Sequence, residues 1–211
     1  MSGLSLLPFL ALALLLFCPL QACTPRQPVQ STLRAAPLTD FAKWERVRDS
    51  ELQRPSFSDK GIAGASESAN AGWLLLEECF AQAALLDKAR AVNSFFNRMP
   101  YKEDLEAFGT EEYWATPEEF MRHCGDCEDF AIAKYYALKR LGVRAEQMRI
   151  TGVWNMRKNE GHSVLLVLDN DRLYILDNVF KQVQPFDELA HEYRLIYHVN
   201  ENTLWRRPDK S

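Results

Sequence analysis

A cysteine at the start of a helix, followed by a histidine and an aspartate on one face of a hairpin, are the residues of this chain whose types and spacing could do covalent chemistry. Gly125 is followed by Asp126, Cys127, Glu128 and Asp129, and Phe130, Ala133, Ala137, Leu138 and Leu141 then recur at helical spacing up to Gly142. Asp126 fits the N-cap, Glu128 and Asp129 complement the positive end of the helix dipole, and Cys127 becomes the first helical residue. A thiol in that place meets unpaired backbone N–H groups, which lower its pKa and raise its thiolate fraction. Taken alone, Cys127 reads more readily as a small buried residue, because free cysteine is among the most buried residue types.

The hairpin after it changes that reading. A two-residue turn at Asn170 and Asp171 pairs Asp169 with Arg172, and the same register carried onward sets Val164 opposite Asp177 and His162 opposite Val179. His162 and Asp177 then share a face as diagonal neighbours, about 7 to 8 Å apart at the backbone, which an imidazole and a carboxylate can bridge. Such a pair has a mechanistic purpose: the histidine takes the thiol proton and later protonates a leaving amine, while the acid fixes its tautomer and orientation. His123, His191 and His198 have no carboxylate placed by this arithmetic and are expected to be structural.

The elements that must hold these residues follow from periodicity. Trp73 to Met99 reads as one long helix with Leu76, Cys79, Phe80, Ala83, Leu86, Val92 and Phe96 on its apolar face and Pro100 as its stop, so Cys79 is expected to pack. Thr116, Pro117, Glu118 and Glu119 form a capping box with a first-turn proline, opening a short helix that ends near His123. Beyond Gly142 the period becomes two, with strands expected at Met148 to Trp154, His162 to Leu168, Leu173 to Leu176 and Tyr193 to Val199. Helices first and antiparallel strands after make an α+β domain.

With 211 residues, 47% apolar and 26% charged, the chain has ordinary globular composition and room for its own core. A net charge of -4 with no basic run excludes nucleic acid as a default partner. The five cysteines, Cys18, Cys23, Cys79, Cys124 and Cys127, have no disulfide-framework spacing. Residues 1–22 read as a signal peptide, since the apolar stretch from Phe9 to Cys18 is too short to span a bilayer and has the length of a signal-peptide core; the positive start of such a segment is supplied only by the terminal amine, as no Lys or Arg precedes Arg26. Export past the inner membrane is expected. Leu20, Gln21, Ala22 and Cys23 resemble a lipobox, so either Cys23 carries a lipid or ordinary cleavage nearby leaves a soluble periplasmic protein. Residues 23–40, with three prolines, read as an extended tether, and 41–211 as the folded domain.

The run from Gly125 to Val143 (GDCEDFAIAKYYALKRLGV), preceded by VNSFFNRMPYKEDLEAFGTEEYWATPEEF and followed by GHSVLLVLDNDRLYILDNV, closely resembles the bacterial transglutaminase-like cysteine proteinases of the LapG type. The resemblance extends from about Phe41 to Tyr193. It implies a papain-like fold in its transglutaminase-like form, with Cys127, His162 and Asp177 as the triad. It further implies a periplasmic endopeptidase that cuts a giant surface adhesin near its N-terminus at a pair of alanines and so releases biofilm cells. The periplasmic domain of an inner-membrane receptor for cyclic di-GMP would hold it in check. Calcium would be bound by the acids flanking the nucleophile, Asp126, Glu128 and Asp129. Those acids by themselves name no metal, because three carboxylates in a first turn also serve the dipole and the cap, and no EF-hand spacing is present.

One residue departs from the family pattern. Cys124 stands where the family usually has glycine, and Cys124 with Cys127 could close a disulfide, act as a redox dithiol, or with His123 form half of a zinc site. No βαβ pattern and no well-spaced second ligand pair accompany them, so proteolysis ranks first. A transglutaminase or other acyl transferase would use the same triad and differ only in whether an amine or water resolves the thioester. A non-catalytic binding module would follow if Cys127 were buried or paired.

Overall fold

The computed structural model describes residues 33–208, so the expected signal peptide, Cys18, Cys23 and most of the expected tether lie outside the described residues. In chain order the elements are β1 (Arg34–Ala36), α1 (Ala42–Gln53), β2 (Phe57–Ser58), β3 (Gly61–Ile62), α2 (Glu67–Phe80), α3 (Leu85–Phe96), α4 (Asp104–Phe108), α5 (Pro117–His123) and α6 (Cys127–Arg140). The strands β4 (Met148–Asn155), β5 (Glu160–Asp169), β6 (Arg172–Leu176), β7 (Gln184–Pro185), β8 (Tyr193–Val199) and β9 (Leu204–Arg206) follow. Seven strands form one antiparallel sheet in the order β1-β9-β8-β4-β5-β6-β7. The α+β class expected from the sequence is the class observed. No helix among the described residues is long and apolar enough to cross a membrane.

The sheet is covered on both faces, and the alternation along β5 shows how. Leu165 and Val167 join the main core with the helices, whereas Val164 and Leu166 join a second cluster with Ile175, Phe186, Leu189, Tyr193 and Leu195. Helix α6 is the centre of the main core. Ten of its fourteen residues are buried, a pattern that requires neighbours on every side, and α3, α5, β4 and β5 provide them. Its end is set by Gly142 at φ 84, a left-handed position that glycine adopts without strain.

Three local expectations give way to the tertiary structure. The helix expected over Trp73 to Met99 is two helices, α2 and α3, broken at residues 81–84. Trp73 and Phe95 have ring centroids 5.9 Å apart, whereas one continuous helix would separate them by about 33 Å. The break lets both aromatic rings enter one core. Cys79, expected to pack, is exposed: six residues after Trp73, the one buried residue of α2, it lies about 120° round the helix from the face that enters the core. Arg34–Ala36, within the stretch read as tether, adds a strand to the sheet edge by pairing with Leu204–Arg206.

The histidines expected to be structural include one with a measurable consequence. His198 is 1% exposed, its Nδ1 lies 2.8 Å from the Thr151 hydroxyl, and burial, reinforced by the positive charge of Arg149, pulls it down to about 3 from an ordinary 6.5. Because the folded value is depressed, the stabilising contribution of neutral His198 is complete above about pH 6.5 and declines as pH falls toward 3, by up to about 1.4 kcal/mol per pH unit. His198→Gln should therefore flatten the loss of stability between pH 6.5 and 3, as read by urea unfolding at several pH values. An unchanged pH slope would show that His198 is not the group responsible.

Candidate active site

The site forms where the start of α6 meets the hairpin β5–β6. The short helix α5 begins as expected, with Thr116 and Glu119 forming a reciprocal capping box, and ends at Cys124. Asp126 takes the N-cap position and Cys127 is the first residue of α6. Gly125 lies between them because a side chain there would have its Cβ 2.0 Å from Asp129 Oδ2. That close approach lets Asp129 fold back and accept from the backbone N–H of Asp126 (3.3 Å) and of Ala115 (2.6 Å).

The hairpin has the register expected of it from Asp169↔Arg172 to Leu165↔Leu176, around a turn in which Asn170 and Asp171 both have positive φ. The ladder stops there, one pair short of Val164 and Asp177. The Asp177 carbonyl instead accepts from Asn97 Nδ2 (2.8 Å), and its carboxylate accepts from the Val179 N–H (2.8 Å), which bends the chain away from β5. His162 and Asp177 are brought together nonetheless, with Nε2 3.0 Å from Oδ1. A proton on Nε2 leaves Nδ1 as the acceptor that a base requires.

Asp177 has its second oxygen satisfied as well, by the Tyr193 hydroxyl at 2.8 Å. Burial would raise this carboxyl, but the hydrogen bond and charge of His162, the Val179 N–H and the Tyr193 hydroxyl outweigh it and hold Asp177 below its ordinary value. Tyr193, whose ring centroid lies 6.0 Å from that of His162, is a site residue the sequence reading missed. Its strand was expected, but nothing in the spacing pointed its hydroxyl at Asp177.

Cys127, His162, Asn178, Val179, Ile196 and Tyr197 share one cleft of about 770 Å³. The Cys127 thiol is half-buried and donates to Glu128 Oε2 at 3.2 Å. Burial first, and then the charges of Glu128 and Asp126, push the thiol up, while the Ser163 N–H facing the sulfur pulls it down. Cys79, Cys124 and Cys127 are all free thiols, so the Cys124–Cys127 disulfide is not formed. Cys124 has φ 63 and ψ −168, a backbone conformation that favours glycine. His123 packs edge-on against Phe108, and neither it nor Cys124 belongs to a cluster of metal-ligating side chains among the described residues.

Two such clusters do occur. Asp126 and Asp129 lie with Asp104, and Asp126 also lies with Cys127 and Glu128, the ligand atoms of each group within 4.8 Å of one another. Of the three acids expected to share a metal, Glu128 is turned to the thiol and Asp104 joins the other two. Asp104 comes from α4, which is drawn to this point by the bridge between Tyr101 and Gly125 and by the Lys102 N–H bonding to the Gly125 carbonyl (2.9 Å). Asp104 Oδ1 and Asp126 Oδ1 are buried and have no hydrogen-bond partner among the described residues. Burial and mutual repulsion hold Asp104, Asp126 and Asp129 above the ordinary carboxylate range. Buried oxygens without partners, in a cluster of negative charge, fit a hard divalent cation.

A helix-borne cysteine sharing a cleft with a histidine–aspartate pair, on a helix packed against an antiparallel sheet, has the architecture of the transglutaminase-like α+β cysteine peptidases. Residues 75–210 match the family model of the bacterial transglutaminase-like cysteine proteinases, and the chain belongs to that family and is a cysteine peptidase. Among solved structures it is similar to LapG of Legionella pneumophila, at 26% identity over 77% of this chain and 86% of that one, with a TM-score of 0.59. The calcium-bound form of that protein matches at 27% identity, 79% and 91% coverage and TM-score 0.61, and its EGTA-treated form at 26%, 77% and 84%, and 0.59. No curated protein matches the chain.

The acid cluster has a consequence for stability. Because the folded values of its carboxyls are raised, a protein free of divalent ions should lose stability as pH rises above the ordinary carboxylate range, where the unfolded chain releases these protons and the folded one retains them. Asp126→Asn should raise Tm at pH 7 in chelator by several degrees and reduce its fall with pH. A lowered Tm, with the pH dependence intact, would contradict the mutual repulsion of these acids.

Proposed function

We propose that the chain is a calcium-dependent cysteine endopeptidase of the periplasm, soluble or anchored through Cys23, that cuts a large surface adhesin near its N-terminus at paired alanines and so disperses biofilm. Its controlling partner, on this reading, is the periplasmic domain of an inner-membrane cyclic di-GMP receptor. What carries the catalytic part is the 3.0 Å bond from His162 to Asp177 in the cleft that also holds Cys127. Similarity to LapG in calcium-bound and EGTA-treated forms supports the calcium part. The substrate, partner and compartment rest on the resemblance of the GDCED, GH and LDN blocks and on the apolar N-terminal segment.

On this reading His162 Nδ1 takes the Cys127 proton, and the sulfur attacks the scissile carbonyl to give a tetrahedral oxyanion near the backbone N–H of Cys127. The imidazolium returns that proton to the leaving amine as the C–N bond breaks, leaving a thioester on Cys127. His162 then draws a proton from water, hydroxide adds to the thioester, and the thiol is regenerated as the acid product departs. Asp177 keeps the ring in one tautomer and stabilises the imidazolium. Asp104, Asp126 and Asp129 would hold calcium, with Glu128 at the margin of the cluster; when bound it supplies positive charge against the carboxylates that raise the thiol, and oxygen rather than sulfur would ligate it.

The test is cleavage of a recombinant adhesin N-terminal fragment carrying the paired-alanine site. Cys127→Ala and His162→Ala should each lower the rate by on the order of 10⁴-fold with the fold intact, and Asp177→Asn by less. Chelator should reduce the native rate reversibly, calcium should restore it better than magnesium, and Asp104→Asn should mimic the chelator. A Cys127→Ala protein that still cuts the fragment would refute the catalytic reading. Full activity of metal-stripped protein in excess chelator would refute the calcium role alone.

A further inference from the structure

Two asparagines on α3 hold the turn that carries Asp177, and the mechanism above does not account for them. Asn97, which caps the C-terminal end of α3, donates from Nδ2 to the carbonyl of Asp177 (2.8 Å) and to that of Phe180 (3.1 Å). Asn93, one helical turn earlier on the same face, donates from Nδ2 to the carbonyls of Phe180 and Lys181, each at 3.4 Å. In both side chains the amide oxygen is buried with no partner among the described residues. An amide whose two N–H groups are both engaged and whose oxygen is idle is selected for its donors, since an unpaired buried acceptor is itself destabilising.

The other end of this connection is the helix of the nucleophile. Lys88 of α3 donates to the Leu141 carbonyl at the end of α6 (2.8 Å), and Phe120 bridges Phe96 of α3 (6.2 Å) and Phe130 of α6 (4.9 Å). Helix α3 is thereby fixed to α6, whose first residue is Cys127, and through Asn97 to the backbone of Asp177. The sheet ladder does not reach Asp177, and these amide bonds tie that turn to the helix layer.

We propose that Asn97 is a positioning residue for catalysis: it sets the Asp177 turn relative to α6 so that Asp177 Oδ1 meets His162 Nε2. This rests on the reading of Cys127, His162 and Asp177 as the triad. Asn97→Asp keeps the shape but replaces both donors with acceptors that repel the two carbonyls, and Asn97→Ala simply removes them. Both variants release the turn without substituting any side chain that lines the cleft.

The test pairs a spectroscopic readout with kinetics. Long-range ¹H–¹⁵N NMR of the neutral His162 ring should report the Nε2–H tautomer in the native protein and a mixture of tautomers in both variants. On a fluorogenic paired-alanine peptide the variants should lose kcat by about 10- to 100-fold with KM within about twofold of native. A folded variant with native kcat and the native tautomer overturns the assignment, as does a rise in KM alone. Where a variant does not fold, the native protein decides: the Asn97 side-chain amide protons should exchange slowly with solvent, and rapid exchange overturns the proposal. A native protein that leaves the peptide uncut while His162 keeps its Nε2–H tautomer overturns the proteolytic reading and not the role of Asn97, which the tautomer decides.

Discussion

The constraint on which this structure depends is the burial of a charged carboxylate. Asp177 is 1% exposed, and an ionised carboxylate removed from water is strongly unfavourable unless each oxygen is paired. His162 and Tyr193 from the sheet and Val179 from the same turn pair them, while Asn97 engages the backbone from the helix side. A second buried charge lies below. Lys134 of α6 is 1% exposed, and burial pulls its ammonium down to about 7, with the negative charge of Asp177 acting against that shift. The helix that presents Cys127 at its first turn thus also supplies, two turns on, a cation that favours the carboxylate. Fold and chemistry meet in one electrostatic requirement.

A similar requirement acts at the other wall of the cleft with the opposite outcome. Around Asp177 the negative charge is matched, whereas Asp104, Asp126 and Asp129 crowd together, and Asp104 and Asp126 each have a buried oxygen without a partner among the described residues. The dipole of α6 alone does not offset this charge, and the thiol, raised first by its burial, is pushed up further by Glu128 and Asp126. A nucleophile flanked by uncompensated acids is a poor one, and a divalent cation in that cluster would correct both the folding and the catalytic penalty at once. A cation held there would on that ground couple metal binding to activity.

What the sequence made legible was whatever is decided locally. The capping box at Thr116, the helix start at Asp126 and the turn at Asn170 and Asp171 depend on a few adjacent residues, and all three form where the residue types require. The hairpin register then brought His162 to Asp177, although the ladder ends before it reaches them. What was illegible depends on residues distant in sequence. The break between α2 and α3 has no proline or glycine to mark it and exists because Trp73 and Phe95 must share a core. Asp104 reaches the acid cluster only through the bridge of Tyr101 to Gly125, and Tyr193 reaches Asp177 only through the order of strands in the sheet. The strand Arg34–Ala36 is too short for any period to declare it and is fixed by its partner β9.

The central claim is that Cys127 is an activated nucleophile and not a packed core thiol. Site-resolved alkylation measures this directly, because Cys79 and Cys124 are free in the same molecule and serve as internal references. With calcium present at pH 7, iodoacetamide followed by peptide mass spectrometry should show Cys127 modified at least about tenfold faster than exposed Cys79, with the advantage abolished by His162→Ala. Alkylation of Cys127 at or below the rate of Cys79, unaffected by His162→Ala, would contradict the account.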